Sequence, residues 1–434
     1  MNQFVFKSSA KSFLIAFIVL GILCSGITWF SDDEMHTRFW SNILHNSVFF
    51  TGIALMSVFF LSVCITAYAG WHVVFKRVWE AIGSFLYVGM FLMVVMGLFV
   101  YFDANHLYYW ADAASVDNDK ILTGKSGFLN KNWYLFGTII VVGVWVFFYS
   151  RLRSLSLAED ASGQGENFKK HRSMRWYAAV FLPIVGYTSA AMVWQWIMSI
   201  DAHWYSTMFA WYTGASWFVS MIALTIILLL YLKANGYYNR VTADHIHDLG
   251  KFLFGFSIFW TYVWFSQFML IWFANVGEET IYFKQRYDDY PVLFFVNIAI
   301  NFALPFLILL RNDTKRKFGS VGFVAILVFV GHWLDFFLMI KPGVLHTAHE
   351  LSGHGHDTVS HGHDAAHGAS ETVGHGVEHV SNFVSGFTFP GLLEVGTFLG
   401  FTALFFFVVF NTLSKAALVP ENDPYIDESI HHHV

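Results

Sequence analysis

Residues 320–341 read SVGFVAILVFVGHWLDFFLMIK, an apolar run that carries His332 and Asp335. Three residues apart, an imidazole and a carboxylate share one stripe of a helix. Such a pair can pass a proton. Keeping it in hydrocarbon costs about 3 kcal/mol per group on the insertion scale, so intramembrane ionisable residues are by default functional. If the run ends at Lys341, Asp335 lies six residues, ~9 Å, inside that end. Glu394 lies six residues after the start of a later apolar run near 388, at the same expected depth. His332, Asp335 and Glu394 together describe a proton path. Gln267 and Ser266, with Tyr187, Thr188 and Ser189, could extend it through hydrogen bonds, although such groups also simply bond helices together.

A second chemistry is suggested by Asp103, His106, Asp201 and His203. They fall at run ends crowded with Tyr, Trp and Phe, where an apolar pocket with a titratable rim suits a quinone or quinol head group. An aromatic belt at the membrane interface accounts for the same rings without a ligand.

The elements that must hold these residues are membrane helices. The 434 residues are 56% hydrophobic, 20% aromatic and 13% charged, which is far from soluble composition. Ten apolar runs, at about 12–30, 48–69, 82–102, 133–150, 177–200, 208–232, 252–275, 291–310, 320–341 and 388–413, approach or exceed a bilayer span. Without water to satisfy their backbones they must be helices. The expected fold is therefore all-α and integral to the membrane. The first run stands alone, 48–200 and 208–341 each supply four helices, 342–387 forms a loop, and 414–434 is a tail.

With the N-terminus inside, the inner connections hold 18 of the 25 Lys and Arg residues and the outer ones 7, so the positive-inside rule places both termini in the cytoplasm. A weak internal repeat accompanies this topology. RVWEAIGSFL (77–86) and RVTADHIHDLGKFL (240–253) each lead into a helix, FDAN (102–105) and FAN (273–275) end those helices, and Arg151 and Arg311 end the next ones. The offsets of 163–171 residues relate helices 2–5 to helices 6–9 as parallel copies, a recurring membrane architecture.

Metal and haem chemistry are less well supported. The loop between the last two runs holds nine histidines from His346 to His379. Imidazole tracts can bind Zn, Cu or Ni, but the spacing is irregular, the assignment is only compositional, and the expected role is a solvated loop with no metal. Cys24 and Cys64 form no CxxC or CxxCH motif, so no covalent cofactor is expected. Haem b needs facing axial histidines. His332 is the one clearly intramembrane histidine, His45, His72 and His106 falling near run ends.

The segment WQWIMSIDAHWYSTMFAWYTGASW (194–217), preceded by RWYAAVFLPIVGYTSA, resembles the NrfD-like, polysulfide-reductase membrane-anchor family, in the form of the second large membrane subunit of bacterial alternative complex III. So do GWHVVFKRVWEAIG (70–83), HDLGKFLFGFSIFWTYVWFSQFMLIWFANVGEETIYF (247–283) and GHWLDFFLMIKPG (331–343). The resemblance runs from the second helix to the tenth; SIDAHWYSTMF is its most specific part and the His-rich loop lies outside it. It implies a ten-helix subunit, with two four-helix bundles, of a quinol:cytochrome c oxidoreductase in the bacterial inner membrane. Its implied partners are a homologous NrfD-like membrane subunit, an iron–sulfur subunit, c-type haem subunits and a haem–copper oxidase, with lipid around it and no nucleic acid. Iron–sulfur clusters and haems would sit in those partners and the main quinol site in the sister subunit. The polar line would map onto His332, Asp335 and Glu394. Two other classes remain open on sequence: a stand-alone secondary transporter, for which no pair of interrupted helices stands out, and a structural anchor whose buried charges only pair.

Overall fold

The computed structural model describes residues 3–162, 168–351 and 384–433. It is an all-α membrane protein whose described residues contain ten helices long and apolar enough to span a bilayer. They are α1 (Ser8–Ser31), α2 (Thr37–Thr66), α3 (Val73–Tyr101), α4 (Trp133–Ser162), α5 (Lys169–Ile200), α6 (Met208–Ala234), α7 (Ala243–Ala274), α8 (Pro291–Leu309), α9 (Phe318–His349) and α10 (Leu392–Leu413). The expected runs correspond one to one, with two displaced ends that matter for chemistry. α2 begins 11 residues before the run at 48, because Ser41, Asn42, His45 and Asn46 turn into the protein and lower the hydropathy without ending the helix. α9 continues past Lys341, through Pro342, to His349.

The two expected bundles close as rings. In the first, α2 packs on α3 and α5, α3 on α4, and α4 on α5; in the second, α6 packs on α7 and α9, and α8 on both α7 and α9. The rings meet where α2 lies against α6. These two helices are therefore the most enclosed, 89% and 83% buried along their apolar cores, whereas α1 is 17% buried and packs mainly on α10 at the periphery. Gly52 permits the α2–α6 crossing, since a Cβ there would stand 1.9 Å from the Trp217 ring. Small residues at such crossings let helices approach in hydrocarbon, where no hydrophobic drive pulls them together. Outward-facing side chains such as Phe13, Phe91, Tyr187, Trp272 and Leu307 are exposed, as a lipid-facing shell requires.

Each bundle contains a turn of π-helix in its third helix, Trp133–Gly137 in one and Ala299–Ala303 in the other. The offset of 166 residues falls within the 163–171 of the sequence repeat. Both ends of the chain lie on one face, where Gln3 bridges to Ala417 and Gln3 Nε2 donates to Ser414 O, 3.1 Å. The segment after α10 is not a free tail. Ser429 Oγ donates to Trp71 O (2.9 Å) and accepts from the Val74 N–H (3.0 Å), and Lys76 pairs with Asp423.

A Gly52→Val substitution is expected to lower the unfolding free energy in detergent by about 1–3 kcal/mol through overpacking against Trp217. Gly26→Val, where an added Cβ meets nothing within 4 Å, should leave it unchanged. Thermal unfolding of the two variants side by side checks the contrast.

Candidate functional site

Asp335 and His332 are both fully buried, in the second bundle. Three neighbouring helices aim donors at the Asp335 carboxylate. From α6, Tyr212 Oη donates to Oδ1 and Ser216 Oγ to Oδ2 (3.0 Å). From α7, Trp260 Nε1 donates to Oδ2 (3.0 Å), and from α8, Asn297 Nδ2 donates to Oδ1 (2.8 Å). Asn297 is itself held by Asn301 Nδ2 (2.6 Å), which lies in the π-helical turn. Such turns frequently occur at functional sites. Gly331, beside His332, leaves room for Asn301, whose Oδ1 would be 2.3 Å from a Cβ at that position.

Because a carboxylate only accepts, the Ser216 hydroxyl donates to Asp335. It therefore accepts from His332 Nδ1, 2.9 Å away, which must carry the hydrogen. The result is a chain from His332 Nδ1–H through Ser216 O–H to Asp335 Oδ2, with the direct Nδ1–Oδ2 separation at 3.8 Å. His332 Nε2 and Asn301 Oδ1 are buried without a protein partner. They are the two points at which this network can exchange a hydrogen bond with something else.

Glu394 does not join this cluster. It occupies the first turn of α10, where Oε2 accepts from the Gly391 N–H at 3.0 Å. Arg38 of α2 grips it with two bonds, Nε–Oε1 2.7 Å and Nη2–Oε2 2.9 Å, and Asn42 Nδ2 adds a third at 3.1 Å. The expectation of equal depth fails because α9 does not end at Lys341. Asp335 is 14 residues, about 21 Å, from His349. Lys341, expected in an outer connection, is buried; its Nζ donates to Ser41 Oγ (2.7 Å) and Asn42 Oδ1 (2.6 Å) and stands 4.6 Å from the Phe387 ring centroid. Between the two clusters, Trp333 Nε1 donates to Asn46 Oδ1 (3.1 Å) and His45 Nε2 donates to Trp333 O (3.0 Å). His45 is thus a buried histidine of α2 and not an end-of-helix residue.

The other expected extensions also stand apart. Gln267 is buried on α7 two turns beyond Trp260, and its Nε2 has no partner. Tyr187 faces lipid, Thr188 accepts from Trp145 Nε1 at 2.9 Å, and Ser189 Oγ donates to the Gly186 carbonyl at 3.4 Å. The four residues expected beside a quinone do not converge. Asp103 pairs with Lys131 at the surface and His106 is exposed. Asp201 is bound by Arg286 Nη2 (3.1 Å), and His203 pairs with Asp119. Asp119 is partly desolvated, which raises its carboxyl. His203 and the backbone N–H groups of Leu122 and Ile121 outweigh that and hold it below the usual range. Asp201 and His203 do line one cavity of about 230 Å³ with Tyr109, Tyr282 and Gln285, but Asp201 Oδ2 is already paired with Arg286 and His203 Nε2 with Asp119. A larger apolar cleft of about 1080 Å³ lies between α2, α5, α6 and α7, with Asp248 and Lys251 its only charged lining. Of the His-rich loop, only His346 and His349, at the end of α9, lie within the described residues.

Compared with known families and with characterised proteins, the chain matches no family model and no characterised protein. The donors Tyr212, Ser216, Trp260, Asn297 and Asn301 were not singled out by sequence. Only Asn297 and Asn301 left a signal there, as two amides one turn apart inside an apolar run.

Removing a donor to the buried carboxylate should cost more than removing one that only supports another donor. Tyr212→Phe is expected to destabilise by about 1.5–3 kcal/mol, the range for hydrogen bonds to charged groups, and Asn301→Ala by about 0.5–1.5 kcal/mol. Equilibrium unfolding in detergent measures both; an inverted order would contradict the assignment.

Proposed function

We propose that this chain is a non-haem membrane subunit of a quinol-oxidising respiratory complex, and that it carries protons through His332, Ser216 and Asp335. The observation that carries the reading is the continuous hydrogen-bonded chain from His332 Nδ1–H through the Ser216 hydroxyl to Asp335, sealed inside one bundle. The resemblance to NrfD-like subunits supplies its setting. Electrons pass through iron–sulfur and c-type haem partners, the quinol site belongs to the sister subunit, and both termini face the bacterial cytoplasm.

The step this geometry suits is a concerted shift. A proton arriving at His332 Nε2 lets the Nδ1 proton move to Ser216 Oγ while the Ser216 proton moves to Asp335 Oδ2. Tyr212, Trp260 and Asn297 then stabilise Asp335 whenever it returns to the carboxylate. Each transfer spans one hydrogen bond, which positioned proton carriers require. Glu394, clamped by Arg38 and bonded also by Asn42 Nδ2 and the Gly391 N–H, serves instead to tie α10 to α2. The purely structural reading differs in its outcome: it leaves turnover and proton release intact when Asp335 is neutralised.

In the purified complex reconstituted in vesicles, Asp335→Asn is expected to leave assembly intact while reducing turnover-coupled proton release about tenfold or more. Ser216→Ala should give a smaller loss. Normal turnover with normal proton stoichiometry in Asp335→Asn would remove the proposal.

A further inference from the structure

On the face that bears both termini, three segments bring ligating groups together away from the proton cluster. Glu159 ends α4, His171 begins α5, and Asp423 belongs to the segment after α10. One ligand atom of each lies within 4.8 Å of the other two, and all three residues are buried. Two of them are unpaid by ordinary bonding. Neither carboxylate oxygen of Glu159 nor either ring nitrogen of His171 has a hydrogen-bond partner, although the residues are only 3% and 5% exposed. His171 Nδ1 stands 3.4 Å from Glu159 Oε1, an ion pair when the imidazole is protonated, but without hydrogen-bond geometry. Buried polar groups are normally hydrogen-bonded, and buried charges are paired or coordinate metals. Lys76 is bound to Asp423, so it offsets one of the two carboxylates and leaves the other.

We propose that Glu159, His171 and Asp423 form a binding site for a divalent first-row transition ion. The donor set, two carboxylates and one imidazole, fits Mn²⁺, Fe²⁺ or Zn²⁺ better than the all-oxygen shell of Ca²⁺ or Mg²⁺. Ligand bonds of about 2.1 Å need donor atoms roughly 3.0–3.5 Å apart, which atoms within 4.8 Å of one another reach by closing at most about 1.8 Å. Tyr425, two residues beyond Asp423, packs on the His171 ring with centroids 5.6 Å apart and orients it. A bound ion would clasp the segment after α10 to the ends of α4 and α5. Its role is thus to fix that segment, whose Ser429 already bonds Trp71 and Val74.

The test uses the full chain in detergent with Mn²⁺ as the probe, because the histidine-rich loop favours Zn, Cu and Ni. Loss of the free-Mn²⁺ paramagnetic resonance signal gives the stoichiometry, and limited proteolysis reports the segment after α10. The expected result is one Mn²⁺ per chain, slower cleavage of that segment when Mn²⁺ is present, and affinity lowered more than about tenfold in Glu159→Gln and His171→Gln. If the wild-type chain binds no stoichiometric Mn²⁺, if folded variants bind it equally well, or if binding leaves cleavage of the segment unchanged, the proposal is overturned. Should neither variant fold, the wild-type stoichiometry and cleavage rates decide it alone.

Discussion

A carboxylate in hydrocarbon must find every hydrogen bond inside the protein, and the second bundle is arranged around that constraint. Asp335 draws donors from α6, α7 and α8 while sitting on α9, so the four helices of one ring are tied at a single side chain. The π-helical turn of α8 and the small residue Gly331 follow from it, since both serve to bring Asn297 and Asn301 to the right depth. The first bundle meets the same constraint differently. Its buried charges sit towards its ends, where Glu80 is paired with Arg77 and Arg153 and bonded by Ser156 Oγ at 2.6 Å. One ring thus buries its ionisable pair at mid-helix with neutral donors, and the other buries ion pairs near a membrane face.

That contrast separates chemistry from scaffolding. An ion pair such as Arg38–Glu394 is closed, since both carboxylate oxygens are occupied by fixed donors and the guanidinium does not give up a proton. The Asp335 cluster is held by hydroxyls, an indole, an amide and an imidazole. Its serine and histidine can each accept one proton while releasing another. The same backbone fold therefore carries closed clamps and the hydrogen-bonded chain proposed as a relay, distinguished by which donors surround the acid.

The membrane-helix organisation was legible in the sequence because hydropathy acts over some 20 residues at a time and tolerates local exceptions. The pair His332–Asp335 was legible because i and i+3 share a face on any helix. What could not be read was contact between helices. Tyr212, Ser216 and Trp260 look like ordinary belt or packing residues until α6 and α7 are set against α9. The false pairing of Asp335 with Glu394 came from ending α9 at its charged residue. Lys341 is buried, held by Ser41 and Asn42 of a helix whose polar start lies before the apolar run at 48. Both errors have one physical source: a polar residue satisfied by a neighbouring helix looks, in one dimension, the same as a polar residue in water.

Infrared difference spectroscopy of the proposed quinol-oxidising complex during turnover, in H₂O and D₂O, tests most directly whether Asp335 itself takes up and gives back a proton. The account predicts a protonated-carboxyl band that shifts in D₂O and disappears in Asp335→Asn. A difference spectrum with no such band, or one unchanged by that substitution, would contradict it.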